Sequence, residues 1–200
     1  MITAALVDIG NVILNLDFYG PLTKLVPESR ADPEGRVNFL LERKDELETG
    51  RMSAEKFFEW ASKRLEFEGS QEEFLAAWND IFEPNLPMWE TLRDLKRRGL
   101  KLILFSNTNT PHAEFFLKEY AEIFDLFEGQ VFSQLVGAAK PDPAFYHHAI
   151  QEYSLKPEET LYIDDLPENI TTGIQLGFKS WRYDVKTHEP FTRWIVETLD

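Results

Sequence analysis

Short apolar runs that stop on a polar residue recur along this chain, and they restrict its fold more than any other feature. Ala4-Ala5-Leu6-Val7 stops at Asp8, Leu102-Ile103-Leu104-Phe105 at Ser106-Asn107, and Leu161-Tyr162-Ile163 at Asp164-Asp165. Runs without polar alternation suit strands buried on both faces, as in parallel sheets covered by helices. Strands are expected at Thr3–Val7, Lys101–Phe105, Gln130–Phe132, Thr160–Ile163 and Lys179–Tyr183. Helical patterns separate the later runs: Pro87–Arg98 ending at Gly99, Pro111–Glu119 behind Thr110, Pro143–Tyr153 behind Asp142, and Pro167–Leu176 ending at Gly177. Each has proline in its first turn, where the missing N–H costs nothing. Alternating β and α units imply an α/β fold, a doubly wound parallel sheet. Sites in such sheets form at the carboxyl ends of strands, where Asp8, Ser106 and Asp164-Asp165 all fall.

From Phe18 to Phe82 the rhythm changes to helical periodicity, over Val37–Leu47, Ala54–Leu65 and Glu72–Ile81, with no convincing strand. The expected organisation is a core of residues 1–17 and 84–200 interrupted by a helical cap of residues 18–83. Hinges near Asn15–Asp17 and Pro84–Pro87 would let the cap move. Ser53 reads as an N-cap and Ser70-Gln71-Glu72-Glu73 as a capping box, both folding signals. Phe57, Phe58, Trp60, Phe74 and Trp78 fall at helical spacing and read as the cap's own core. Arg43, Lys44, Glu48 and Arg51 are the cap's polar candidates for facing the crevice, although a solvated helix face is the favoured reading.

Composition narrows the function. The 200 residues include 35 Asp and Glu against 21 Lys and Arg, a formal net charge of −14 with no basic stripe. That balance disfavours nucleic acid and anionic membranes as partners. There is no cysteine, so a metal must be held by oxygen or imidazole, and oxygen donors favour a magnesium-like ion. Asp8 breaks the N-terminal apolar stretch, which also lacks a basic flank, so neither a signal peptide nor a membrane span is expected there and a cytoplasmic location is.

An aspartate at a strand end can attack phosphorus and split one difficult hydrolysis into two easier steps through an aspartyl-phosphate. A phosphate dianion repels such a nucleophile, so a divalent cation must bridge the two, and Asp165 is the best second ligand beside Asp8. Asp164-Asp165 sets two carboxylates at one strand end, a repulsion that a cation relieves. Ser106 and Asn107 offer a hydroxyl and an amide to phosphate oxygens, and Lys140, on a loop stiffened by Pro141, offers a compact cation. His147-His148 have no metal spacing with a third ligand, and for His112 a packing role is favoured over an approach to the phosphate.

Taken in order, Asp8-Ile9-Gly10-Asn11-Val12, Ser106-Asn107-Thr108-Asn109, Lys140-Pro141 and Asp164-Asp165 resemble the four motifs of the haloacid dehalogenase superfamily. The resemblance covers nearly the whole chain and implies a Rossmann-like core, a C1-type helical cap and Mg2+ dependence. It implies Asp8 as nucleophile, Ser106 and Asn107 as phosphate binders, and Lys140 as the charge-stabilising lysine. Asp8, the Gly10 carbonyl and Asp165, with Asp164 beside it, become the metal site, and Asn169 a residue that supports it. Finer details, Gly10-Asn11 and Asp-Asp-x-x-x-Asn-Ile among them, are similar to bacterial sugar-phosphate phosphatases that hydrolyse α-D-glucose 1-phosphate. The expected substrate is therefore a small phosphorylated metabolite.

One position departs from that pattern. Most phosphatases of the superfamily carry a second Asp two residues after the nucleophile as acid and base, and here it is Gly10. General acid–base catalysis is typically worth about 10²–10⁴ in rate. Asp17 is a candidate replacement, with capping of the first cap helix the favoured role. Two other readings stay open: a metal-independent 2-haloacid dehalogenase, and a phosphate-binding protein that has lost turnover.

Overall fold

The run Ala4–Val7 forms a strand, β1, buried along its whole length. In the computed structural model, which describes residues 1–199, it lies at the centre of a parallel sheet. The other strands are β2 (Leu14–Leu16), β3 (Phe82–Pro84), β4 (Lys101–Ser106), β5 (Gly129–Phe132), β6 (Thr160–Asp164) and β7 (Lys179–Arg182). The sheet order is β5-β4-β1-β6-β7, with every pair parallel. The chain fills one side of β1 with β4 and β5, then crosses to the other with β6 and β7. Strand order therefore reverses at β1, the place where α/β sheets open a crevice.

Both faces of the sheet are covered, which is why its strands lack polar alternation. Ala5 and Val7 join Leu102, Leu104 and Ile163 in one core cluster, closed by the helices Leu86–Arg97, Thr110–Glu119 and His188–Leu199. Ala4 and Leu6 point the other way, with Ile103, Phe105 and Tyr162, against the helices Pro143–Tyr153 and Pro167–Gln175. Leu6 and Val7 have no exposed surface, and each such side chain contributes about 1.5–3 kcal/mol by leaving water. The four expected core helices form close to their anticipated bounds, each with proline in its first turn.

Three features differ from the sequence reading. β2 and β3 pair antiparallel, so a short two-stranded ribbon stands where hinges near Asn15–Asp17 and Pro84–Pro87 were expected. Three-residue strands carry no periodic signal, and they pair because an insertion must bring its ends together. The helix expected over Val37–Leu47 breaks into Pro33–Leu41 and Lys44–Glu48 at Glu42-Arg43. The C-terminal helix His188–Leu199, with Phe191 and Ile195 buried, was not anticipated.

Between β2 and β3 the insert is helical and builds a core of its own from Leu22, Val37, Leu40, Phe57, Phe74 and Trp78, among others. Ser53 caps the helix Ala54–Leu65, and Ser70 with Glu73 forms the capping box of Gln71–Asn79. Among the described residues no helix is long and apolar enough to cross a membrane.

Candidate active site

Strand β1 delivers Asp8 to the crevice, and the backbone N–H of Asp8 is held by the Ile163 carbonyl at 3.0 Å, which ties it to β6. At that level β6 ends in Asp164, and Asp165 follows. Asp8, Asp164 and Asp165 each place one carboxylate oxygen within 4.8 Å of the others. Residues from distant parts of the sequence thus form a single acidic cluster.

Lys140 answers that cluster from below. Its side chain is 1% exposed, and its ammonium donates to Asp8 Oδ1 at 2.8 Å, Asp164 Oδ2 at 2.6 Å and the Phe105 carbonyl at 2.8 Å. All three ammonium protons are used, so the cation has one position. Burial disfavours the charged form of Lys140, but Asp164 and Asp8 outweigh it and push the pKa up. Asp8 moves upward as well, because its burial outweighs the attraction of Lys140, and Asp164 and Asp165 add repulsion. Burial also raises Asp165, despite its bond from Asn11. One ammonium facing three carboxylates leaves an uncompensated negative charge, the electrostatic condition that a divalent cation satisfies.

The two aspartates at the end of β6 differ. Asp164 is fully buried, and its oxygens take four donors: Lys140 and the Tyr162 hydroxyl on Oδ2, the Leu166 N–H and the Asn169 amide on Oδ1. Its acceptor positions are filled, with the Lys140 ammonium among the donors. Asp165 accepts one side-chain bond, from Asn11 Nδ2 at 3.2 Å, and borders the crevice with free lone pairs. Asn169 donates to Asp164 at 2.9 Å and also lines the crevice.

On the far side, Ser106 ends β4 with its hydroxyl donating to the following carbonyl at 3.4 Å, its one hydrogen bond among the described residues and long enough to be exchanged for a better acceptor. Asn107 also borders the crevice. Its amide is committed to the backbone of Lys140, receiving the N–H at 2.8 Å and donating to the carbonyl at 2.9 Å. That side chain clamps the lysine loop, which leaves Ser106 as the freer hydrogen-bonding group on this wall.

Gly10 also borders the crevice. A Cβ there would lie 2.8 Å from Leu16 Cδ1, in β2. Asn11 follows in the left-handed region (φ 51°) and grips both the Leu16 N–H and Asp165, a link between the start of the cap and the cluster that the sequence reading missed. The available signal was Asn directly after Gly10, a residue type that tolerates the left-handed backbone of a sharp turn. Asp17 accepts the N–H groups of Tyr19 and Gly20, the capping role.

His112 is buried at the edge of the crevice: its ring stacks on Trp78 at 4.9 Å, with Nε2–H donating to the Trp78 carbonyl at 2.9 Å and Nδ1 accepting from Asn109. Burial pushes its pKa down to about 3, so it stays neutral. His147 and His148 are exposed, away from the cluster. Of the four polar cap candidates, Lys44 and Glu48 do line the crevice, whereas Arg43 turns to Glu46 and the Trp60 ring, and Arg51 borders an adjoining cleft.

A sequence model of haloacid dehalogenase-like hydrolases matches residues 2–177. The chain belongs to this family. Among relatives of this haloacid dehalogenase-like hydrolase, the D-ribitol-5-phosphate phosphatase of Bacteroides thetaiotaomicron is 28% identical over 193 residues, 91% of this chain and 92% of the relative. The sesquiterpene phosphatase astK of Aspergillus oryzae is 29% identical over 137 residues, 66% of this chain and 68% of that one. In fold, the hydrolase is similar to a HAD family enzyme of Bacteroides thetaiotaomicron in complex with magnesium and inorganic phosphate. That likeness has a TM-score of 0.79 at 23% identity, covering 94% of this chain and 96% of the other.

Proposed function

We propose that this hydrolase is a magnesium-dependent phosphatase of a small phosphorylated metabolite, sugar phosphates among them, working through an aspartyl-phosphate on Asp8. The observation that carries the reading is the buried cluster itself: three carboxylates against one fully engaged lysine. Oxygen donors and excess negative charge fit Mg2+, with Asp8, Asp165 and the Gly10 carbonyl as its holders and Asp164 supporting Lys140. The ion supplies charge neutralisation and orientation between carboxylate and phosphate.

Ser106 donates to a phosphate oxygen, and Lys140 stabilises the charge that develops as the Asp8 oxygen bonds to phosphorus and the ester P–O bond breaks. Water then cleaves the acyl-phosphate and restores Asp8. No side chain at position 10 protonates the leaving group, so turnover depends steeply on leaving-group basicity. The phosphatase names of the two relatives support the same reading. A metal-free dehalogenase would bring a carboxylate substrate against three clustered carboxylates with no divalent cation to offset them.

The test is phosphate release from a panel of phosphate esters, with and without magnesium, by the wild type and by Asp8→Asn. Release that requires both magnesium and Asp8 is expected. Activity surviving chelation or Asp8→Asn, or chelator-insensitive halide release from 2-chloropropionate, overturns the proposal.

A further inference from the structure

The crevice that holds Asp8 has a volume of about 230 Å³, below the roughly 300–1,000 Å³ of drug-sized ligand sites. Beyond the phosphate-handling residues its lining is of two kinds. Leu16, Phe18, Ile81 and Phe82 form an apolar wall, and Lys44 with Glu48, from the cap, forms a polar one. The break at Glu42-Arg43 starts a separate helix, Lys44–Glu48, that carries both residues.

Glu48 is 7% exposed. Each of its oxygens lies 3.2 Å from Lys44 Nζ, the one donor it has among the described residues. A carboxylate has about four acceptor sites and an ammonium three protons, so the pair satisfies itself only in part. Glu48 is buried while the Lys44 side chain is 36% exposed, so the ammonium reaches the opening of the crevice and the pair is a weak contributor to stability. Burial raises the Glu48 pKa against the pull of Lys44, and the pair lines the same crevice as Lys140.

We infer that the Lys44–Glu48 pair is the subsite that reads the part of the substrate beyond the phosphate, accepting hydroxyl groups and rejecting a second anion. Glu48 takes hydroxyl protons on its free lone pairs, and the third proton of Lys44 meets a hydroxyl oxygen. The pair is neutral overall, so a carboxylate in the substrate meets Glu48 with no cation left to answer it. The apolar wall covers C–H surface. The substrate class is a short polyol or small sugar monophosphate, and phosphorylated carboxylic acids are disfavoured. This rests on the phosphatase reading above.

The experiment compares a pentitol 5-phosphate, pentyl phosphate and phosphoglycolate on the wild type and Glu48→Gln, with magnesium. The first two have alkoxide leaving groups, so a role for Glu48 in bond cleavage would affect both. Glu48→Gln is expected to lower kcat/KM on the pentitol ester by roughly ten- to a hundredfold, mostly through KM. Pentyl phosphate should be unaffected, and phosphoglycolate should improve as Lys44 is freed. The double variant Lys44→Met with Glu48→Leu leaves no buried ion unpaired and should show the same loss on the pentitol ester without the gain on phosphoglycolate. An equal loss on both alkyl esters, or no loss on the pentitol ester, overturns the subsite. A wild type that cleaves p-nitrophenyl phosphate with magnesium yet treats pentitol and pentyl esters alike also overturns it, leaving the phosphatase reading intact. No phosphate release from any ester overturns both.

Discussion

Replacing Lys140 by methionine removes the one cation bonded to Asp8 and Asp164 and keeps most of the side chain's length. Three donated bonds vanish, to Asp8 Oδ1, Asp164 Oδ2 and the Phe105 carbonyl. Asp164 keeps Tyr162, Leu166 and Asn169 as donors, whereas Asp8 keeps no side-chain donor among the described residues. Breaking a buried ion pair from one side costs about 3–5 kcal/mol. With a urea m-value of about 2 kcal/mol/M, the unfolding midpoint should fall by about 1.5–2.5 M at about pH 8 without magnesium. The orphaned carboxylates then have raised pKa values, so the folded form binds protons more tightly than the unfolded chain and stability should recover as the pH falls. Magnesium should restore part of the loss by supplying counter-charge. Phosphate release should fall by at least about 10²–10³, the effect of losing a preorganised charge stabiliser. A midpoint equal to that of the wild type at about pH 8 without magnesium would refute the reasoning.

Other consequences are smaller but separable. Burial pushes Asp8 from 3.8 up to about 7 in the metal-free site, so its contribution to stability is complete below 3.8 and lost as pH rises through about 7. Magnesium competes with that proton, and its stabilising effect on Tm should be larger at about pH 8 than at about pH 5.5; equal shifts contradict the assignment. Asn11→Ala frees Asp165 and should weaken magnesium binding by about 10–100-fold in calorimetric titration, with about 1–2 kcal/mol of stability lost because alanine is strained at a left-handed position. Asp17→Asn keeps the cap of the first helix and should leave turnover nearly unchanged, while Asp17→Ala should cost about 1 kcal/mol of stability. A drop of orders of magnitude for Asp17→Asn alone would instead make Asp17 the acid that Gly10 lacks.

Much of this protein was legible in one dimension. Apolar runs ending on Asp8, Ser106 and Asp164-Asp165 announce strands whose ends converge, because a parallel sheet sets all its carboxyl ends on one edge. Proline and capping residues bound the helices through local backbone chemistry. Such signals are readable because their causes lie within a few residues. Only the tertiary structure decided how the site residues divide the work. The Asn107 amide met the Lys140 backbone, Asp164 filled its acceptors, and Lys44 with Glu48 came to border the crevice, each placed by parts of the chain far away in sequence. Residue type states what a side chain can bond to; which partner it meets depends on packing, and packing is a property of the folded chain.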